Sequence, residues 1–500
     1  MSESEEGEHG LGSYVSDSFD EMMSNGITEA YKLYGNWLKT VPPDLLKRRN
    51  EQADILFRRM GITFAVYGEQ SGVERLIPFD PVPRILSNCE WEKLNAGICQ
   101  RVKALNAFIE DVYTTRDILR ANVIPEEMVL KNSEYIPEVE GFSPPNKVHV
   151  HISGIDIVRT SPSDFYVLED NLRTPSGVSY MMENREVMMR LFPDLFKIYD
   201  VLPVNHYPAE LRKTLELAAP QGTEHPKAVL FTPGIYNSAY FEHAFLAYEM
   251  GIELVQGQDL FVDDDDCVYM RTIRGPEKVD VIYRRIDDRF LDPETFRKDS
   301  LLGCPGLYRA AMKKNVTLVN AIGNGVADDK SVYPYVPDMI EFYLGEKPIL
   351  SNVPTYTLSK PDDFKYVLEH LNELVVKEKH GSGGFCIVVG VGCGMLVGPK
   401  ATKAETEEFK ERIKQNPDNY IAQPTLALST CPTVQEEGLS PRHVDLRPYA
   451  LMQSPDKVVV VPGALTRVAL KKGSLVVNSS QGGGTKDTWV LGKTEGDGQC

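Results

Sequence analysis

Residues 154–177 read GIDIVRTSPSDFYVLEDNLRTPSG, and the fold turns on how they pair. From Lys147 the apolar period is two: KVHVHISGIDIVRT (147–160) and DFYVLEDNL (164–172) are strand-like runs around a Ser-Pro-Ser turn at 161–163. A hairpin closed there brings Asp156 of the first strand close to Glu169 of the second. Glu169 and Asn171 lie two residues apart and share a face. Two carboxylates and an amide oxygen make an oxygen-only site, which suits Mg²⁺ with its preference for a few carboxylates, phosphate oxygens and water. The same residues also read as a surface hairpin with ordinary acidic side chains.

Downstream, KAVLFTPG (227–234) reads as a buried strand, AYFEHAFLAYEMG (239–251) as a helix closed by Gly251, and IELVQ (252–256) as the next strand. This is a β-α-β unit, with the loop 232–238 at the carboxyl end of its first strand. DLFVDDDDCVYMRT (259–272) follows as a hairpin and VDVIYRRID (279–287) as another strand. The aspartates 263–266 read as a solvated turn, because neighbouring strand residues point to opposite faces. Upstream, EWEKLNAGICQRVKALNAFIEDVY (90–113) has helical spacing, and the stretch from Ser16 to about Leu130 reads as mainly helical. After Lys330, helices at 360–374 and 403–416 alternate with strands at 374–379, 420–428 and 458–470, and glycine-rich loops fall at 381–394 and 482–484.

The chain has 500 residues, more than one core usually organises. The expected divisions are an acidic tail at 1–18, a mainly helical region at 19–145, the hairpin at 146–205, an α/β unit at 206–320, two further lobes at 321–492 and a tail at 493–500. Acidic residues outnumber basic ones 72 to 54, a net charge of −18 that disfavours nucleic acid and anionic membranes as partners. Residues 1–10 lack the apolar stretch of a signal peptide, and no apolar run reaches the roughly 18 residues of a membrane span. Eight cysteines without zinc spacing read as reduced thiols. A cytoplasmic protein is the expectation, with a homodimer as the default assembly.

An Asp, thirteen residues to a Glu, then E-x-N followed by Pro and Gly closely resembles the magnesium-binding end of the ATP-grasp superfamily, which includes D-alanine ligases and glutathionylspermidine synthase. The resemblance implies that Asp156 and Glu169 hold Mg²⁺ on the phosphates of ATP, helped by Asn171. That superfamily usually has Arg two residues before the Asp, where this chain has Gly154. NAIGNGVADDK resembles the segment carrying the first ATP lysine, here Lys330, and ELVVKEKHGSGG the second, Lys377, before a glycine-rich lid at Gly381, Ser382, Gly383 and Gly384. YIAQP resembles the hinge, where the backbone of Ala422 and Gln423 would meet adenine. Both lysines follow the hairpin, a rotated order. VDVIYRRIDDRFLDP, HVDLRPYAL, PGALTRVAL and NSSQGGGTKDTWVL resemble bacterial circularly permuted ATP-grasp type 2 proteins over nearly all of 20–492.

The implied fold is mixed α/β (α+β): a circularly permuted ATP-grasp domain with a Rossmann-like pre-ATP-grasp unit and an N-terminal helical segment. The implied activity joins a small-molecule carboxylate to an amine or short peptide, using ATP and Mg²⁺ and passing through an acyl phosphate. Arginines 284, 285, 447 and 467 lie on or beside strands. Among them Arg284, Arg447 and Arg467 are the candidates to hold carboxylate and phosphoryl charge, with Arg447 the replacement for the Arg missing at 154. His443 and Asp445 could instead pair with each other. The loop QGGGTK, with Gly482, Gly483, Gly484, Thr485 and Lys486, resembles the substrate lid of glutathione synthetase. Asn237, Ser238 and Tyr240 are placed in the acceptor pocket. The stretch 385–393 reads as an insertion in the first lid. A kinase on the same fold and a weakly active nucleotide-binding scaffold that partners another enzyme are the alternatives.

Overall fold

The computed structural model describes residues 14, 16–42, 44–66, 73–235, 237–379, 395–436, 438–475, 477 and 482–493. Its centre is an eight-stranded sheet. Along it run Ser351–Asn352, Phe165–Asn171, Ile152–Arg159, Gly438–Ser454, Lys457–Val468, Gly484–Val490 and Phe79–Leu86, and Thr430–Gln435 pairs on Gly438–Ser454. The predicted hairpin therefore lies inside this sheet, with Ile152–Arg159 flanked by its hairpin partner and by Gly438–Ser454. Burial on both faces explains the apolar run Ile152–Val158, whose residues are all buried.

The long elements of the amino-terminal region, Leu45–Met60 and Asn88–Tyr113, are helices, and Phe79–Leu86 between them is a strand that the helical reading does not include. Pro81 and Pro83 sit in this strand, which is tolerated because it forms the sheet's edge, parallel to Gly484–Val490. The helix at Asn88–Tyr113 follows directly. Ser87 accepts from the Glu90 amide and the Glu90 carboxylate returns to the Ser87 amide, a reciprocal cap that sets the helix start. One length of this helix packs on the central sheet and the other on the α/β unit.

The α/β unit is a four-stranded parallel sheet in the order Thr317–Val319, Val281–Arg284, Ala228–Phe231, Glu253–Val255. The helix Tyr240–Met250 ends at Gly251, whose φ of 64° closes it in the left-handed region as the sequence predicts. In the acidic turn, Asp263 accepts from the amides of Asp265 and Cys267. Asp266 departs from the solvated reading: it is buried against Arg309 and Lys313. A separate four-stranded sheet, Tyr356–Thr357, Tyr420–Pro424, Leu374–Glu378, Met395–Val397, has its own small core with Val367, Leu371, Phe409 and Ile413. Among the described residues no helix is long and apolar enough to cross a membrane. Among the described residues Cys99, Cys267, Cys304 and Cys431 are free thiols.

Candidate active site

The hairpin register places Asp156 opposite Glu169 and Gly154 opposite Asn171. Ile157 pairs with Val167, so Leu168 is an extra residue bulged out of the ladder. The bulge lets Leu168 and Glu169, neighbours in sequence, line one cleft together with Lys330, Tyr333, Lys377 and Gln423. Asp170 is tied back to the long helix by Arg101, which donates to its two oxygens at 2.6 and 2.7 Å and to Asn352 Oδ1 at 2.7 Å. The guanidinium of Arg101 also lies over the Tyr333 ring.

One side of this site is built from arginine. Asp156, 2% exposed, accepts from Arg447 through both Nε and Nη2, the latter at 2.7 Å, and from Arg467 Nη2 at 2.7 Å. Arg467 turns its other donors to Asp445, with Nε 3.0 Å from each carboxylate oxygen. Burial would raise the Asp156 carboxyl, but the two guanidiniums outweigh it and hold the group down at about 2. Gly154 is what makes this possible. A Cβ there would lie 3.1 Å from Pro175 Cβ and 3.4 Å from Arg447 Cδ, so the stem of Arg447 fills the space a side chain at 154 would need. Asp445 pairs with Arg467 and not with His443, whose Nδ1 meets the Leu428 carbonyl at 2.9 Å.

The other side is built from lysine. Lys330 Nζ lies 3.1 Å from Glu169 Oε1, and Lys377 donates to Gln423 Oε1 at 2.9 Å. Burial lowers the Lys377 ammonium and Lys330 lowers it further, while Glu169 opposes both. For Glu169 the burial effect is upward, but the lysines and Arg447 prevail and lower it. The segment 320–330 reaches the hairpin because both its ends are tied to it. Asn320 donates to the carbonyls of Ile152 and Leu172 at 2.6 and 2.7 Å and accepts from the Ile152 amide at 2.8 Å. Asp328 accepts from the Leu172 amide and from Arg173 Nε. Nothing in the sequence pattern marked Arg101, Asn320 or Asp328. Their signal is a buried polar side chain that satisfies another segment's backbone or charge.

Other expected site residues lie elsewhere. Arg284 is fully buried in the α/β unit, donating to the carbonyls of Asn320, Ile286 and Ala321 and paired with Asp288, so it holds that sheet together and reaches no cleft. Its neighbour Arg285 points the opposite way, to Pro175, Ser176 and Glu242. Ala422 has strands on both edges, opposite Tyr356 and Val376, so its backbone offers no open edge to a base; Gln423 presents its side chain to the cleft instead. Of the residues placed in the substrate lid, Gly484, Thr485 and Lys486 lie in the central sheet. Gly484–Val490 is an interior strand, Thr485 is buried, and the fully buried Lys486 ammonium contacts Asp80 and the carbonyls of Val82 and Pro432. Gly482 and Gly483 lead into that strand. Asn237 and Ser238 lie half-buried in the loop before Tyr240, where Asn237 Oδ1 accepts from the Ala239 amide and shapes the helix start. Gly381, Ser382, Gly383, Gly384 and the stretch 385–393 lie outside the described residues.

A cleft between two β-sheets, lined by Glu169, Lys330 and Lys377 and backed by the arginine-paired Asp156, fits an ATP-grasp protein. The chain belongs to the circularly permuted ATP-grasp type 2 family, whose model matches residues 83–469. It is similar to an uncharacterized protein of Synechocystis sp., 51% identical over 91% of this chain and 93% of that relative. It is 50% identical to an uncharacterized protein of Mycobacterium tuberculosis over 95% of this chain and 84% of the relative. A Frankia casuarinae protein named "Putative glutamate--cysteine ligase 2-2" is 39% identical over 95% of this chain, which spans only 54% of that relative. Among solved structures, a glutathione synthetase-like effector from Globodera pallida has a similar fold, with a TM-score of 0.57, 10% identity and coverage of 90% of this chain and 98% of the other.

Proposed function

We propose that this protein is an ATP-dependent carboxylate–amine ligase. The observation that carries the reading is one linked charge cluster: Glu169, Lys330 and Lys377 line the cleft, and behind Glu169 the buried carboxylates Asp156 and Asp445 pair with Arg447 and Arg467. Such a cluster is suited to a polyanion whose negative charge takes over the lysine pairs and meets the positive charge of the arginine side. The residues also fit Mg²⁺. Among the described residues no three His, Cys, Asp or Glu side chains converge as a metal cage. Glu169 and Asn171 supply oxygen donors only, and the Glu169 side chain is 32% exposed. Asp156 opposite them is an oxygen donor too, but Arg447 and Arg467 occupy both its oxygens, so it would reach the ion only by releasing one of them. A few protein oxygens, completed by phosphate and water, are what Mg²⁺ takes. When bound, the ion neutralises phosphate charge and orients the terminal phosphate.

In this reading Lys330 and Lys377 hold the phosphates as point charges, and Gln423 and Ile421 border the nucleotide. A substrate carboxylate oxygen attacks the γ-phosphorus, the bond to the β-phosphate oxygen breaks, and ADP and an acyl phosphate result. Arg447 and Arg467 stabilise the charge that develops on the transferring group. An amine then attacks the acyl carbon, and phosphate leaves with formation of the amide. The chain contributes positioning and charge, and no covalent nucleophile is required. The name of the Frankia relative supports a ligase, and the glutathione synthetase-like fold supports the same class.

The test is incubation with ATP, Mg²⁺ and panels of amino acids, short peptides and polyamines, with hydroxylamine added to trap acyl phosphate. ADP, free phosphate and a hydroxamate are expected. Phosphate retained on an acceptor hydroxyl, with none released, would instead establish a kinase.

A further inference from the structure

The turn at 174–177 supports Arg447, yet its shape is set from the other sheet. Gly177, with φ of 114°, precedes the helix Val178–Leu191 and has no side chain to cap it. A Cβ at this position would lie 2.4 Å from the Tyr449 hydroxyl. The cap comes instead from Glu242 of the α/β unit. Its Oε2 accepts from the Gly177 amide at 2.7 Å, the Ser179 amide at 3.1 Å and Ser179 Oγ at 2.9 Å. Its Oε1 accepts from Arg285 Nη2 at 3.1 Å. Arg285 in turn donates to the Pro175 carbonyl and to Ser176 Oγ, both at 2.6 Å. One buried ion pair therefore grips three consecutive residues, 175, 176 and 177.

The gripped turn presents a single group to the arginine side of the site. The Ser176 carbonyl accepts from Arg447 Nη1 at 3.3 Å and from the Tyr449 hydroxyl at 3.0 Å. Pro175 also packs against the place where Arg447 crosses Gly154. The guanidinium of Arg447 is thus held between Asp156 and a turn whose position depends on Glu242 and Arg285. We propose that Glu242 and Arg285 are positioning residues for Arg447, coupling the α/β unit to the phosphate-binding side of the site. The inference rests on the nucleotide site proposed above.

A residue that only stabilised the fold would weaken all nucleotides alike, whereas one that aims Arg447 acts on the phosphate end. The experiment is calorimetric titration of wild type, Glu242→Gln and Arg285→Lys with AMP and with Mg²⁺ and AMP-PNP. In both variants the AMP affinity is expected to stay within about twofold, while the preference for Mg²⁺–AMP-PNP over AMP drops roughly tenfold, as loss of a charge-assisted contact requires. Ser176→Ala removes only the hydroxyl held by Arg285. It is expected to lower the preference by about threefold, and it covers the case in which the ion-pair variants do not fold. An unchanged preference in the folded variants overturns the assignment. Wild-type protein that binds neither nucleotide overturns the nucleotide reading itself, and with it this one.

Discussion

Asp156 and Glu169 face each other across one hairpin, but the protein treats them differently. Asp156 is enclosed in the central sheet with both oxygens taken by guanidiniums. Glu169 is partly open to the cleft and meets a lysine. Two charges of one sign side by side would repel, and the pairing resolves this by assigning arginines to the buried partner and lysines to the open one. Arginine's planar fork suits a permanent, bidentate contact, while a lysine ammonium on a flexible stem exchanges partners more readily. The arginine side is therefore a preformed part of the fold, and the lysine side is the part that ligand reorganises.

The largest expected effect breaks the arginine side. Asp156→Ala leaves Arg447 short of its main partner and Arg467 with Asp445 alone, and should cost about 3–5 kcal/mol in chemical denaturation. Glu169→Gln should change stability by less than about 1 kcal/mol yet lower Mg²⁺-dependent ATP turnover about 100-fold. A Glu169→Gln variant as unstable as Asp156→Ala would erase the distinction between the two sides.

Acid sharpens the same contrast. The Asp156 carboxyl is held at about 2 in the fold, below its unfolded value of about 3.9, so its pairing stabilises above roughly pH 4 and is lost as pH falls towards 2. The order of 2 kcal/mol should disappear across that window in wild type, and Asp156→Asn should show a flatter acid limb in urea titrations at stepped pH. The smallest effect is on the open side. Lys377→Met should weaken Mg²⁺–AMP-PNP binding by about tenfold, read by calorimetry, with AMP much less affected.

Much of this contrast was readable in the sequence, for a local reason. Period-two alternation around a Ser-Pro-Ser turn identifies the two strands of 152–171 and brings Asp156 near Glu169, and E-x-N places its two side chains on one face. The bulge at Leu168 was not readable, since 165–168 are all apolar or aromatic and do not show where the buried face passes from Val167 to Asp170. Arg284 and Arg285 show the limit more sharply. They end a parallel strand buried on both faces, so composition gives no clue to which arginine looks towards the hairpin. Lys486 misled for a similar reason. A lysine after three glycines reads as a mobile loop until the contact with Asp80, more than 400 residues away in the chain, turns it into a core residue. Pro81 and Pro83 hid an edge strand behind residues that usually end strands. In each case the missing information is tertiary: which edge is open, and which charge waits across the fold.

The most direct test of the two-sided site is the Mg²⁺ dependence of AMP-PNP affinity, measured by calorimetry in wild type and in Glu169→Gln. Mg²⁺ should tighten binding at least tenfold in wild type, and that gain should vanish in the variant while its metal-free affinity is retained. A full Mg²⁺ gain in Glu169→Gln would contradict the assignment of the metal–nucleotide site to this strand pair.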